Sequence, residues 1–190
     1  MTVYKKNNMT EYDQLCNILS DEFLSVSQDL MIELKEDTHK AQRVNINDGK
    51  GGFVRSLYRF DLEEKDFLHF FNKTDSSPEG LRKFCDYILL VKHNDKTFVL
   101  LIELKRGETY GADKQLKASE TFIEFLHKTA ERLYRDFAYF EFNRNNVVIR
   151  KIIIKEVRSN KTCTQGTRID KNQDIILFKS SGEFPLAKFL

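Results

Sequence analysis

The chain has 190 residues, 41% hydrophobic and 32% charged, a balance that excludes a disordered tail or a fibre and points to one folded domain over 1–190. Its longest uncharged apolar runs, 87–91 and 98–102, fall far short of the roughly 20 residues that cross a bilayer, and 1–14 hold no signal-peptide-type stretch. A net charge of +2 implies no polyanionic partner by itself, and cysteines at 16, 85 and 163 form no CxxC pair, so a cytoplasmic protein with reduced thiols and no membrane association is expected.

Tyr12, Leu15, Cys16, Leu19, Phe23, Val26, Leu30 and Leu34 recur at steps of three and four, which predicts an amphipathic helix over 11–35. Residues 37–52 are polar, end in Gly-Lys-Gly-Gly and read as a loop. Residues 53–60 read as a strand, followed by an extended or irregular piece through 71 and a turn at 76–80. The apolar runs 84–91 and 97–105 flank the polar turn His93-Asn94-Asp95-Lys96 and read as a hairpin of two buried strands. Leu116, Phe122, Ile123, Leu126, Ala130, Leu133, Tyr134 and Phe137 mark a second helix over 112–137. The β-branched run 147–157 reads as a strand, and 174–179 as a shorter one after a polar loop. The order helix–strand–strand–strand–helix–strand, with a small C-terminal addition over 158–190, describes an α/β (α+β) fold: one central sheet with helices packed on it.

Three charged residues interrupt the two central strands: Asp86, Glu103 and Lys105. Burying an unpartnered charge costs several kcal/mol, so these positions need a reason. Side chains alternate faces along a strand, which puts Glu103 and Lys105 on one face. In a compatible register Asp86 projects beside Glu103, and two converging carboxylates form a hard oxygen site of the kind that holds Mg²⁺. Two polar residues on the helices point the same way. Glu22 borders the apolar stripe of the first, and Gln115 lies in the first turn of the second, beside Leu116. The structural alternative makes Glu103 and Lys105 a surface edge pair and Asp86 a satisfied core polar group.

With these residues in view, the chain resembles the PD-(D/E)XK nucleases, the restriction-endonuclease-like superfamily. Asp86, sixteen intervening residues and Glu103-Leu104-Lys105 match its motif, over the element order αβββαβ and roughly residues 11–157. Cys85 stands where the name-giving proline would be. The resemblance implies a metal-dependent endonuclease that hydrolyses nucleic acid, DNA before RNA, leaving a 5′-phosphate and a 3′-hydroxyl. It implies Mg²⁺, with Mn²⁺ substituting, held by Asp86, Glu103, the main-chain carbonyl of Leu104 and a first-helix carboxylate. Glu22 is the first choice for the last, with Asp21, Asp29 and Glu33 on the same expected helix. Lys105 would act on the attacking water and Gln115 would hold Lys105. Many such enzymes form homodimers to cut both strands. A nuclease-like fold that binds nucleic acid or protein without cleavage, and an RNA-cleaving member, are the alternatives.

Between 144 and 171, eight Lys and Arg residues face only Glu156 and Asp170, a local charge of +6. Arg144, Arg150, Lys151, Lys155 and Arg158 are therefore candidate nucleic-acid contacts, although on charge alone solvated strand-edge side chains are the preferred explanation. His39, His69, His93 and His127 show no zinc-ligand spacing. Cys85 reads as a buried structural cysteine, Asp48-Gly-Lys-Gly-Gly52 lacks the pattern of a phosphate-binding loop, and Phe137, Tyr139, Phe140 and Phe142 read as core closure.

Overall fold

Apolar strands that bury both faces need a layer on each side, and this chain supplies one layer from helices and the other from a second sheet. The structure, a computed structural model, describes residues 9–25, 31–35, 43–47, 53–60, 84–106, 108–134, 142–156, 167–170, 174–180 and 182–190. Its elements are α1 (Glu11–Ile18), β1 (Met31–Lys35), β2 (Arg43–Asn47), β3 (Val54–Arg59), β4 (Tyr87–His93), β5 (Lys96–Lys105), α2 (Ala112–Tyr134), β6 (Val147–Glu156), β7 (Thr167–Asp170), β8 (Ile175–Ser180) and β9 (Glu183–Pro185). The main sheet is mixed and six-stranded, in the order β3-β4-β5-β6-β8-β7, and β1-β2-β9 form a second sheet. This is an α+β fold.

The centre of the main sheet follows from residue pattern. β4 and β5 are antiparallel, with Tyr87 opposite Ile102 and His93 opposite Lys96, and Asn94 takes the positive φ (53°) that the tight turn between them requires. From Thr97 through Glu103, β5 is buried at every position. β6 then lies parallel to β5, so the connection passes through α2, as a parallel crossover demands.

The two faces of the sheet belong to separate cores. Ile88, Leu90, Val99, Leu101 and Ile153 pack with Tyr12, Leu15, Leu116, Ile123 and Leu126 of the two helices. Their strand neighbours Leu89, Val91, Leu100, Ile102, Leu104, Ile152 and Ile154 pack with Val44 and Ile46 of β2, Phe184 of β9, Leu186 and Phe189. Phe184 stacks on Phe189 with ring centroids 4.4 Å apart, and both meet Phe178 of β8 edge-on.

The first predicted helix is the main departure. It ends at Ile18, eight residues after it starts, because Leu19 turns extended (φ −74°, ψ 133°) and Ser20 caps a 3₁₀ turn over Asp21–Phe23. Phe23 then stacks on Phe60 at 5.3 Å, and Leu24 bridges to Tyr58, so the chain runs beside β3. The stretch 31–35 also has a period of two, and its pairing with β2 (Ile32 opposite Ile46, Leu34 opposite Val44) makes it strand. β2 itself falls in the expected loop 37–52, and β7 and β9 fall where the sequence pattern predicts no strand. The extended piece 61–71, the turn 76–80 and the glycine run 48–52 lie outside the described residues.

One core residue sets a pH limit. His127 is 2% exposed, lies 5.3 Å from the Phe142 ring, and neither ring nitrogen has a hydrogen-bond partner among the described residues. Burial first, and the Arg144 charge second, push its pKa from 6.5 down to about 4. Above 6.5 the ring is neutral in both states; as pH falls toward 4 only the unfolded chain takes up the proton, so stability falls. Denaturant midpoints across this range are expected to show the unfolding constant rising by up to about tenfold per pH unit. His127→Leu is expected to flatten that part of the profile.

Candidate functional site

Asp86 sits at a bend one residue before β4, and its Oδ2 accepts the Leu104 amide hydrogen bond at 2.7 Å. The contact ties the start of β4 to the end of β5, and Phe60 adds β3 by donating its amide to the Asp86 carbonyl at 3.0 Å. Glu103, in β5, is 1% exposed, and its Oε1 lies 2.7 Å from Lys105 Nζ. Alternation places Glu103 and Lys105 on the face of Val99 and Leu101, toward the helices, while Leu104 packs in the opposite core.

α2 completes the arrangement. Gln115 Oε1 accepts from Lys105 Nζ at 3.3 Å, and Gln115 Nε2 donates to the Phe84 carbonyl at 3.3 Å. One turn on, the buried Ser119 hydroxyl donates to the Gln115 carbonyl at 2.9 Å and accepts from the Cys85 amide at 2.8 Å. The first turns of α2 are thereby fastened to the segment that carries Asp86. Ser119 escaped the sequence reading, although a serine one turn after Gln115 on an apolar stripe was a visible signal. Cys85 is fully buried; burial first, with the Glu103 and Asp86 carboxylates adding to it, drives its thiol pKa up and keeps it protonated.

The structure brings Asp86, Glu103, Leu104, Lys105 and Gln115 together. Among the described residues, none of the carboxylates expected on the first helix lies on α1. Glu22 and Asp21 are exposed in the 3₁₀ turn, Glu33 belongs to β1 in the second sheet, and Asp29 lies outside the described residues. The reason is the early end of α1: Ser20 and the β3 pairing of Leu24 replace the helical turn expected to carry Glu22. That turn stays near the site through Phe23, whose partner Phe60 bonds to Asp86.

The basic residues separate by face and partner. Arg144 is exposed and pairs with Glu124 of α2 at 3.6 Å, and Lys151 pairs with Glu120 of α2 at 2.9 Å. Arg150 lies on the opposite face from Glu103, by alternation with Lys151. Lys155 stands directly beside Lys105 in the β5–β6 register. Arg158 lies outside the described residues, as do Phe137, Tyr139 and Phe140; Phe142 is buried against α2.

No group of three or more His, Cys, Asp or Glu side chains placed to hold a metal occurs among the described residues. The donor set at Asp86 and Glu103 is two carboxylates against one ammonium, with the Leu104 main chain between them. Mg²⁺ is commonly held by one or two carboxylates and otherwise by water, so these oxygen donors and their net negative charge fit a hard dication. Among the described residues no helix is long and apolar enough to cross a membrane. Comparison with protein-family models, curated proteins and solved structures returns no match.

The Glu103–Lys105 pair makes a stability prediction. Removing one partner of a buried ion pair strands the other, so Lys105→Met is expected to cost about 3 kcal/mol. Adding Glu103→Gln should recover most of that loss, because the stranded carboxylate is gone. Urea denaturation of wild type, both single variants and the double variant in EDTA gives the coupling; strictly additive losses would contradict it.

Proposed function

We propose that this protein is a divalent-metal-dependent nuclease that hydrolyses phosphodiester bonds of nucleic acid, with DNA as the first substrate to try. One observation carries the reading: at the end of β5, Lys105 contacts Glu103 at 2.7 Å and Gln115 at 3.3 Å, while Asp86 accepts the amide of the intervening Leu104 at 2.7 Å. With β1 and β2 set apart in the second sheet, the sequence α1, antiparallel β3–β4–β5, α2 and parallel β6 supports it as well, because it matches the αβββαβ order of the restriction-endonuclease-like core.

Asp86, Glu103 and the Leu104 carbonyl would hold Mg²⁺ or Mn²⁺. When bound, the ion supplies Lewis-acid stabilisation of charge on the transferring phosphoryl group and a more acidic water. The ammonium of Lys105 orients the attacking water and offsets negative charge that builds on the phosphoryl oxygens. Gln115 and Glu103 fix the Lys105 ammonium in position. Water adds to phosphorus as the bond to the 3′ oxygen breaks, giving a 5′-phosphate and a 3′-hydroxyl. Buried ion pairs contribute little net stability compared with apolar residues of the same size, so the charged end of β5 is better explained by chemistry than by folding.

The test is cleavage of supercoiled plasmid, single-stranded DNA and RNA with Mg²⁺, Mn²⁺ or EDTA. Wild type is expected to cut only with metal, and Lys105→Met to lose at least about a hundredfold in rate while keeping its circular dichroism spectrum. Asp86→Asn keeps an acceptor for the Leu104 amide, so it should fold but lose the rise in melting temperature that Mg²⁺ or Mn²⁺ gives wild type. Unchanged cleavage in both variants would end the proposal. Salt-sensitive binding with no metal effect and no cleavage would favour a non-cutting nucleic-acid-binding module.

A further inference from the structure

The parallel register across β5, β6 and β8 aligns three lysines that are distant in sequence. Lys105 pairs with Lys155, and Lys155 pairs with Lys179. All three share the face that carries Glu103. Lys155 alternates with Ile153 and Lys179 with Leu177, and both of these apolar residues pack on the helix side. The next row inward reads Glu103, Ile153, Leu177, so the lysines form the outermost row, at the C-terminal ends of three parallel strands.

Like charges side by side on a sheet repel. Lys105 has Glu103 and Gln115 as partners, whereas Lys155, half-buried, and Lys179, exposed, have no ion-pair partner among the described residues. Other cations of the basic segment differ: Arg144 and Lys151 are answered by acids of α2, Arg150 lies on the opposite face, and Arg168 stands in β7 opposite Leu177, one row inward. Neighbouring strands are about 4.8 Å apart, so the row spans about 10 Å. Across that span, flexible lysine side chains can reach adjacent phosphates of one strand.

We propose that Lys155 and Lys179 extend the site as a phosphate-binding row, seating successive phosphodiesters of one nucleic-acid strand and leading it from Asp86 and Glu103 across β6 and β8. This deepens the nuclease reading and rests on it. The row contacts backbone only, so it contributes affinity and direction and reads no base. The phosphodiester is common to DNA and RNA, and both belong in the test.

The experiment is fluorescence anisotropy of labelled duplex DNA, single-stranded DNA and single-stranded RNA against salt, in EDTA and in Ca²⁺. Wild type is compared with Lys155→Gln/Lys179→Gln, with Lys155→Arg/Lys179→Arg, and with Lys96→Gln/Lys188→Gln. The last pair removes the same charge from the far end of β5 and from the exposed turn that packs on the opposite face. The Gln pair is expected to reduce the slope of log K against log salt by about 1.4–1.8, since each phosphate neutralised by the protein adds about 0.7–0.9. The Arg pair should restore the slope, and the distant pair should leave it unchanged. A loss confined to the DNA or to the RNA arm supports the row and names its strand. If wild type binds and cuts while the Gln pair keeps the full slope, the row is wrong and the nuclease reading stands. If wild type neither binds nor cuts any of the three, both fall.

Discussion

A carboxylate removed from water constrains everything around it. Glu103 is 1% exposed at the end of a strand that is otherwise apolar, and such a group must be neutralised by protonation or by a partner. Lys105 supplies the partner at 2.7 Å, from the same face of the same strand. That choice places demands on the neighbours. Lys105 needs an acceptor for its remaining protons, which Gln115 gives, and Gln115 must be held in turn by Phe84 and Ser119. The charged end of β5 therefore determines where α2 begins and how the segment before β4 is anchored.

The layers serve this arrangement. Each face of the main sheet has its own apolar core, so β4, β5 and β6 are held from both sides and their ends are fixed in position. The charged residues lie where the apolar rows stop. From Phe98 to Ile102 β5 carries only core side chains, and the next three residues bring a carboxylate and an ammonium together at its end. Rigid strands position such groups more closely than loops can. The same rigidity makes the parallel register between β5, β6 and β8 a ruler, which sets the spacing of the lysines beside the carboxylates.

Electrostatically the edge is divided. Asp86 and Glu103 supply negative charge at one end of the edge, toward β4, and lysines accumulate toward β8. A dication and a polyanion are complementary to these two parts in turn. The acids of α2, Glu120 and Glu124, meanwhile take up Lys151 and Arg144, so these two cations of 144–171 are answered within the fold. Net charge along a stretch of sequence thus overstates the surface that remains for a partner.

The sequence by itself determined the hairpin, α2 and β6, because long apolar runs and helical steps are local and strong. It offered Asp86 beside Glu103 only in a compatible register, which the pairing of Tyr87 with Ile102 across the hairpin supplies. It could not determine the end of α1: residues 12–34 fit both a helical stripe and, at 31–35, a strand, and only pairing with β2 decides between them. The expected helical setting of Glu22 failed for that reason. Arg150 and Lys151 were legible as neighbours on opposite faces, but which face carries the helices is a property of packing. Lys179 lies 74 positions after Lys105 and shares its row only through two parallel pairings across a crossover. No local pattern encodes such an alignment, because it depends on strands that meet only once the whole sheet has formed.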